Sequence, residues 1–131
     1  MARYTLFIAS ISAFLAVAMG AFGAHALKTV LDDKMMAVYK TAVLYQFVHS
    51  LALFALAILV LLVGRSNLLL GSVASFSVGI ILFSGSLYVL AISGNAFFGL
   101  LTPLGGLALL AGWLLLAVFA CRLSRGSPSE N

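Results

Sequence analysis

One stretch of the chain carries most of the polar side chains that could do chemistry within an apolar segment. Read as a helix, Thr41, Tyr45 and His49 lie one turn apart on one face, with Gln46 beside them. The stripe stands at the head of an apolar run that continues to Gly64. Polar side chains in a bilayer are costly, so they face a partner helix or a cavity. This stripe is therefore the first candidate for a pocket or a helix–helix contact.

Haem or metal ligation is the chemistry that the two histidines, His25 and His49, would support. Counted from the nearest lysine, His25 lies about 4–5 Å along its helix and His49 about 13–14 Å, so the two do not suit one haem. No cysteine, aspartate or glutamate stands at this depth to complete a metal set. We therefore predict no metal and no cofactor, and we expect both histidines to be hydrogen-bonded in the interior.

A second polar group lies further along, where Ser84 and Tyr88 share one helical face. Ser84 falls at about the depth of His49 in a neighbouring antiparallel helix. We therefore expect the side chains of Tyr45, Gln46 and His49 to face the interior and to reach Ser84 or Tyr88 of that helix. A serine near a histidine is too common a combination to indicate hydrolysis, and we predict that the chain is not an enzyme and has no catalytic residue. The predicted intramembrane cluster comprises Thr41, Tyr45, Gln46, His49, Ser84 and Tyr88.

Composition identifies the solvent of this chain as lipid. Hydrophobic residues make up 64% of the 131 residues and charged residues 8%, with a mean hydropathy of +1.24. A soluble globule carries about 25% charged residues, so this chain cannot cover a water-facing surface. The net charge of +4 comes from lysines and arginines scattered at the ends of apolar runs, which excludes a nucleic-acid patch. The single Cys121 excludes an internal disulfide.

The apolar runs predict an all-α membrane protein, an antiparallel four-helix transmembrane bundle in a single domain, 1–131. The first run, Tyr4–Leu27, has 24 uncharged residues, more than the roughly 20 that a hydrocarbon core of about 30 Å requires. The first run could instead be a signal peptide cleaved after Ala26, but it is longer than the roughly 7–15 residues of such a segment. The predicted helices are 4–27, 34–64, 68–92 and 103–122, followed by a flexible tail, 123–131.

Local signals set the helix ends. Asp32 or Asp33 can cap the second helix, because a carboxylate accepts from its free N–H groups. Thr102 as N-cap and Pro103 at the first helical position predict the start of the fourth helix. Trp113 lies deep in that helix, so we expect its N–H group to find a partner.

Small residues recur about every four positions on three of the helices. Such seams allow helix backbones to approach closely, which is how helices associate in lipid. The predicted packing residues are Ser12, Ala16, Gly20, Gly23 and Ala24 on the first helix, Gly71, Ser75 and Gly79 on the third, and Gly105 and Gly112 on the fourth.

The positive charges favour one orientation. Four spans place both termini on one side of the membrane. That side carries Arg3, Arg65, Arg122 and Arg125, against Lys28, Lys34 and Lys40 on the other. Because cytoplasmic loops carry the excess of positive charge, we predict cytoplasmic termini.

Five motifs occur in order along the chain: Gly20-Ala-Phe-Gly-Ala-His-Ala-Leu27, Thr41-Ala-x-x-Tyr-Gln-x-x-His49, Phe83-Ser-Gly-Ser-Leu-Tyr88, Thr102-Pro-Leu-Gly-Gly106 and Ala111-Gly-Trp113. Together they resemble the YgdD-like family, catalogued as domain of unknown function 423 and similar to eukaryotic transmembrane protein 256. The resemblance covers nearly the whole chain. It implies a small multi-pass protein, in bacteria of the inner membrane, and brings no established reaction.

Three classes of function remain open on the sequence. We favour a structural, interaction or assembly component, because of the small-residue seams and the lack of buried charge. Its partners would be the lipid bilayer and a second copy or another membrane protein. The alternative is a small channel or transporter with a polar pocket around Tyr45 and His49. Haem or quinone binding is the third class.

Overall fold

The computed structural model describes residues 1–123 and is built from four long α-helices. These are α1 (Ala2–His25), α2 (Asp33–Val63), α3 (Asn67–Ser93) and α4 (Thr102–Leu123), with a short 3₁₀ helix, Ala96–Leu100, before α4. Of the predicted flexible tail, Leu123 ends α4 and the remainder lies outside the described residues.

Four segments of the described chain are long and apolar enough to cross a membrane. Their outer faces carry large apolar side chains, such as Phe14, Leu62 and Leu107, which are 69%, 78% and 63% exposed. Such a surface suits lipid and not water. The prediction of an all-α membrane protein is confirmed.

The helices pack in the order of the chain. α1 packs on α2, α2 on α3, and α3 on α4. Short connections make each consecutive pair antiparallel. The main core lies between these helices and contains Leu53, Leu56, Leu69, Phe76 and Leu109. The central position of α2 and α3 explains why most of the buried polar side chains lie on them.

The start of α2 agrees with its sequence signal, and the start of α4 does not. Asp32 caps α2, accepting a hydrogen bond from the N–H of Met35 at 2.7 Å. The prediction that Thr102 caps α4 is wrong, because Thr102 is itself the first helical residue. Its Oγ1 lies 2.8 Å from Oγ of Ser86, so this hydroxyl ties α4 to α3 instead.

The small-residue seam of α1 faces α2 along most of its length. Ala16 and Gly23 are buried, and Ser12 and Gly20 are half-buried. The prediction that Ala24 belongs to this face is wrong, because Ala24 is exposed. Steps of four residues turn about 40° further than one full helical turn, so a row of fours rotates out of a straight contact.

The seams of α3 and α4 meet each other. A Cβ atom built at Gly105 would overlap the backbone of α3 at Leu82 and Phe83. One at Gly79 would overlap the side chain of Leu109. Glycine at these positions lets the two helices approach more closely than any side chain would allow.

The two remaining glycines of this contact face side chains of the opposite helix rather than its backbone. A Cβ atom at Gly112 would stand 2.5 Å from the ring of Phe76, and one at Gly71 would stand 3.0 Å from Leu115. Ser75 is half-buried on the same helix as Gly71. The contact is therefore tightest toward Gly105 and looser toward Gly71.

Candidate functional site

The buried face of α2 is rotated from the stripe that the sequence suggested. Ala42, Gln46 and His49 are buried, whereas Thr41 is exposed and its hydroxyl donates to the carbonyl of Ala37 at 3.0 Å. The prediction that Thr41 joins the intramembrane cluster is therefore wrong. A hydroxyl on the first turns of this helix can bond its own backbone, so it needs no partner helix.

Gln46 connects three helices through one side chain. Its Nε2 donates to the carbonyl of Ser12 on α1 at 3.0 Å, and its Oε1 accepts from the hydroxyl of Tyr88 on α3 at 2.7 Å. The side chain is buried, so both bonds are shielded from solvent. An amide can donate and accept at once, which suits it to bridging two neighbours.

Ser50 extends this network although sequence reasoning missed it. Its Oγ lies 2.7 Å from Oγ of Ser12 and 2.6 Å from the carbonyl of Gln46. Ser50 follows Gln46 by one helical turn and is buried. That spacing was the available signal, since a polar residue one turn after a buried amide shares its face.

His49 is held by both of its ring nitrogens. Nδ1 lies 2.7 Å from the carbonyl of Tyr45, and Nε2 lies 3.1 Å from Nε1 of Trp113 on α4. An indole N–H can only donate, so Nε2 accepts and the proton of a neutral imidazole sits on Nδ1. The expectation that His49 bonds Ser84 or Tyr88 of α3 is wrong, because its partner lies on α4.

Aromatic rings surround this histidine. Phe76 lies 5.4 Å from the imidazole and 5.0 Å from the ring of Trp113, measured between centroids. Tyr45 stacks on Phe83 at 4.4 Å. Tyr45 is nevertheless 39% exposed, so the prediction that it faces the interior is wrong. This aromatic cluster therefore lies partly in the core and partly on the surface.

A groove opens at this point between α2 and α4, and we call it the α2–α4 groove. Its volume is about 490 Å³. Trp113 stands in its wall and is 45% exposed, so the groove is accessible from the lipid side. Its lining consists of Leu44, Tyr45, Val48, His49, Phe83, Gly106, Leu109, Leu110 and Trp113.

A second groove, the α1–α3 groove, lies between α1 and α3 over Gln46 and has a volume of about 520 Å³. Ser84 belongs to its lining. This serine is 1% exposed, and its Oγ has no hydrogen-bond partner among residues 1–123. The expected bond from Ser84 to a neighbouring helix is therefore absent. The full lining is Phe7, Ile8, Ile11, Ser12, Leu15, Met19, Gln46, Ser77, Ile80, Ile81, Ser84, Gly85 and Tyr88.

The second histidine, His25, lines neither groove. His25 is the last residue of α1 and is exposed, so the expectation of a buried, bonded His25 is wrong. Within residues 1–123, histidine, cysteine, aspartate and glutamate form no group of three that could hold a metal ion. The predicted polar residues thus divide between two grooves, with His49 and Tyr45 in one and Gln46, Ser84 and Tyr88 in the other.

Four apolar helices tied by buried polar bonds define a small multi-pass α-helical membrane protein. Comparison with known sequences gives the family. The family model described as "Protein of unknown function (DUF423)" matches residues 19–106, and the chain belongs to this family. The resemblance read from the sequence motifs is confirmed.

Relatives from several bacteria match the chain over most of its length. The inner membrane protein YgdD of Escherichia coli (strain K12) is 42% identical over 130 residues, covering 98% of each chain. The membrane protein YwdK of Bacillus subtilis (strain 168) is 40% identical over 118 residues, covering 89% of this chain and 95% of its own. No solved structure matches the chain significantly. The protein is a multi-pass membrane protein whose relatives carry no assigned activity.

Proposed function

We propose that the chain is a non-enzymatic interaction protein of the bacterial inner membrane. It docks a transmembrane helix of another membrane protein in the α2–α4 groove and thereby helps that protein to assemble or act. The observation that carries the proposal is the fixed, half-exposed indole of Trp113, which stands in the groove wall and is bonded to His49.

The shape of the groove suits a helix. One wall carries Tyr45, Val48 and His49 of α2, and the other carries Gly106 and Trp113 of α4. On each wall the residues recur at helical spacing, so the groove follows the helix axes for about two turns, roughly 10 Å. Gly106 leaves room for a close approach by another backbone, which is how helices associate in lipid.

The chemistry of the wall also suits an interface. Tryptophan is enriched among the residues that dominate binding energy, because it buries a large area at a low cost in side-chain entropy. The bond to His49 holds the indole in one orientation before a partner arrives. A preorganised side chain loses less freedom on binding.

Transport and haem binding receive less support from the geometry. Most residues lining the α2–α4 groove are apolar, and its deepest polar group, His49, is engaged by Tyr45 and Trp113. A haem iron would need a free lone pair on an imidazole nitrogen, and in this arrangement Nε2 already accepts from the indole. Ligation by His49 would therefore require Trp113 to move away.

Catalysis by a serine likewise has little support. Ser86 bonds Thr102 and the carbonyl of Phe83, and Ser84 has no partner. Neither serine has a histidine within hydrogen-bond reach among the bonds of the described residues. A serine nucleophile needs such a base to be activated.

The proposed location is the inner membrane with cytoplasmic termini. The name of the Escherichia coli relative supports the membrane. Along the sequence, four arginines flank the apolar runs on the side of the termini and three lysines flank them on the other side: Arg3, Arg65, Arg122 and Arg125 against Lys28, Lys34 and Lys40. The larger number of positive charges is expected on the cytoplasmic side.

Site-specific photo-crosslinking in intact cells tests the proposal. A photoreactive phenylalanine analogue is placed at Val48 or Leu110 in the groove, and at Leu107 as a control. Leu110 and Leu107 are on the same helix and 66% and 63% exposed, but of the two only Leu110 lines the groove.

The proposal predicts one discrete adduct, of the same partner mass, from Val48 and Leu110 and none from Leu107. Equal adducts from all three positions, or none from any, would contradict it. An adduct of twice the mass of the chain would show that a second copy occupies the groove, which would overturn the assignment of a different partner.

A further inference from the structure

The α1–α3 groove contains a hydroxyl group without a hydrogen bond. Ser84 lines this groove, is 1% exposed, and its Oγ has no partner. Other serines on these helices avoid this cost by donating to the carbonyl four residues earlier, as Ser50, Ser77 and Ser93 do. A buried hydroxyl without a partner costs free energy, and within residues 1–123 no hydrogen bond offsets this cost at Ser84.

The other polar groups of the groove are already paired. The amide of Gln46 bonds the backbone of Ser12 and the hydroxyl of Tyr88. Ser77 donates to the carbonyl of Val73. The groove therefore contains one O–H donor that makes no hydrogen bond. This donor suits a ligand with a hydrogen-bond acceptor such as a carbonyl oxygen.

The lining restricts the ligand further. No residue lining the groove carries a charge, and most are apolar, so a neutral molecule suits it best. On α1 the lining extends from Phe7 to Met19, which corresponds to roughly 18 Å of helix. An extended apolar tail of the ligand can lie along this part of α1, next to the hydroxyl of Ser84.

The depth of Ser84 in the membrane distinguishes two kinds of ligand that have carbonyl groups and apolar tails, phospholipids and isoprenoid quinones. Ser84 lies roughly 13 Å along α3 from its end at Ser93, and further from the other end. The ester carbonyls of a phospholipid remain near the headgroups, at the edge of a hydrocarbon core about 30 Å thick. The head of an isoprenoid quinone is neutral and dissolves in the core, so its carbonyl can reach this depth.

We propose that the α1–α3 groove binds an isoprenoid quinone, with a ring carbonyl accepting a hydrogen bond from Ser84 and the tail lying along α1. This site is separate from the α2–α4 groove and does not depend on the function proposed for that groove. The proposal concerns binding alone.

Two variants and a matched control test the site. Ser84→Ala removes the donor and leaves the fold unstrained. Gly85→Leu fills the groove, because a Cβ at Gly85 meets nothing within 4 Å. Gly106→Leu is the control, since it fills the α2–α4 groove, where a Cβ meets only the ring of Phe83 at 3.8 Å.

The measurement is the retention of decyl-ubiquinone by purified protein in mild detergent, quantified by extraction and liquid chromatography. The wild type and Gly106→Leu should bind about one quinone per chain, Ser84→Ala should bind roughly tenfold more weakly, as the loss of one good hydrogen bond implies, and Gly85→Leu should not bind. Thermal unfolding of each variant checks that the fold is intact.

Three results would overturn the proposal. The first is equal retention by the wild type and Gly85→Leu. The second is no retention by the wild type, with a gain of stability in Ser84→Ala, which would assign the hydroxyl to trapped water. The third is co-purification of a phospholipid that Gly85→Leu displaces while quinone does not compete.

Discussion

The indole N–H of Trp113 donates to Nε2 of His49 over 3.1 Å and so joins α4 to α2. Both helices also pack on α3, so this bond fixes the width of the groove between them. It also fixes the histidine as a neutral ring that donates from Nδ1 to Tyr45. One contact thus sets the geometry of the surface to which we assign the function.

Removing the indole donor should loosen this link. Trp113→Phe keeps a ring beside Phe76 and leaves Nε2 of His49 without a partner, so we expect a loss of about 1 kcal/mol in unfolding free energy. Denaturant titration in detergent measures it. In a His49→Phe background the same change should cost clearly less. An equal cost in both backgrounds would show that the bond contributes nothing.

Removing the amide that bridges three helices should cost more. Gln46→Leu breaks the bonds to Ser12 and Tyr88 and leaves a carbonyl and a hydroxyl unpaired, so we expect a loss of about 1–3 kcal/mol. The same titration measures it, with exposed Phe47→Leu as the control. A variant as stable as the wild type would show that these groups find other partners.

Two neighbouring glycines should differ sharply in their tolerance of a methyl group. Gly105→Ala drives a Cβ into the backbone at Phe83, so we expect a loss of about 1–3 kcal/mol from overpacking. Gly106→Ala meets only a side-chain ring at 3.8 Å and should change the stability by less than about 0.5 kcal/mol. Thermal unfolding of the pair compares them, and equal stabilities would contradict the close contact of α3 with α4.

The orientation can be measured with reporter fusions in bacteria. Fusions after Asn131 should be active only for a cytoplasmic reporter, and insertions between Lys28 and Asp32 only for a periplasmic one, because of the distribution of arginines and lysines. The opposite pattern would reverse the assignment and leave the fold unchanged.

The helices and the cap of α2 were predictable because they depend on local properties. The length of the apolar runs predicted the membrane-spanning helices, and the position of Asp32 before α2 identified it as a cap. Thr41 and Tyr45 were misplaced because a stripe of fours drifts around a helix by about 40° a step, while the buried face follows Ala42, Gln46 and His49.

Most of the long-range partners could not be predicted from the sequence. The depth of Trp113 indicated that its N–H would be bonded, but only the packing of α4 beside α2 identifies His49 as the acceptor. The predicted contact of Gln46 with Tyr88 is confirmed, whereas His49 does not reach α3, since Ser84 lines a different groove from His49. The rotation of each helix about its axis decides which side chains of different helices meet, and no local sequence signal determines that rotation.

The yield of photo-crosslinked adduct from Leu110 in groove-filling variants tests the central claim most directly. Leu110 and Gly106 line the α2–α4 groove, whereas Gly85 lines the other one. We predict that Gly106→Leu abolishes the adduct and that Gly85→Leu leaves it at the wild-type level. An adduct that survives Gly106→Leu, or that Gly85→Leu removes equally, would contradict docking in the α2–α4 groove.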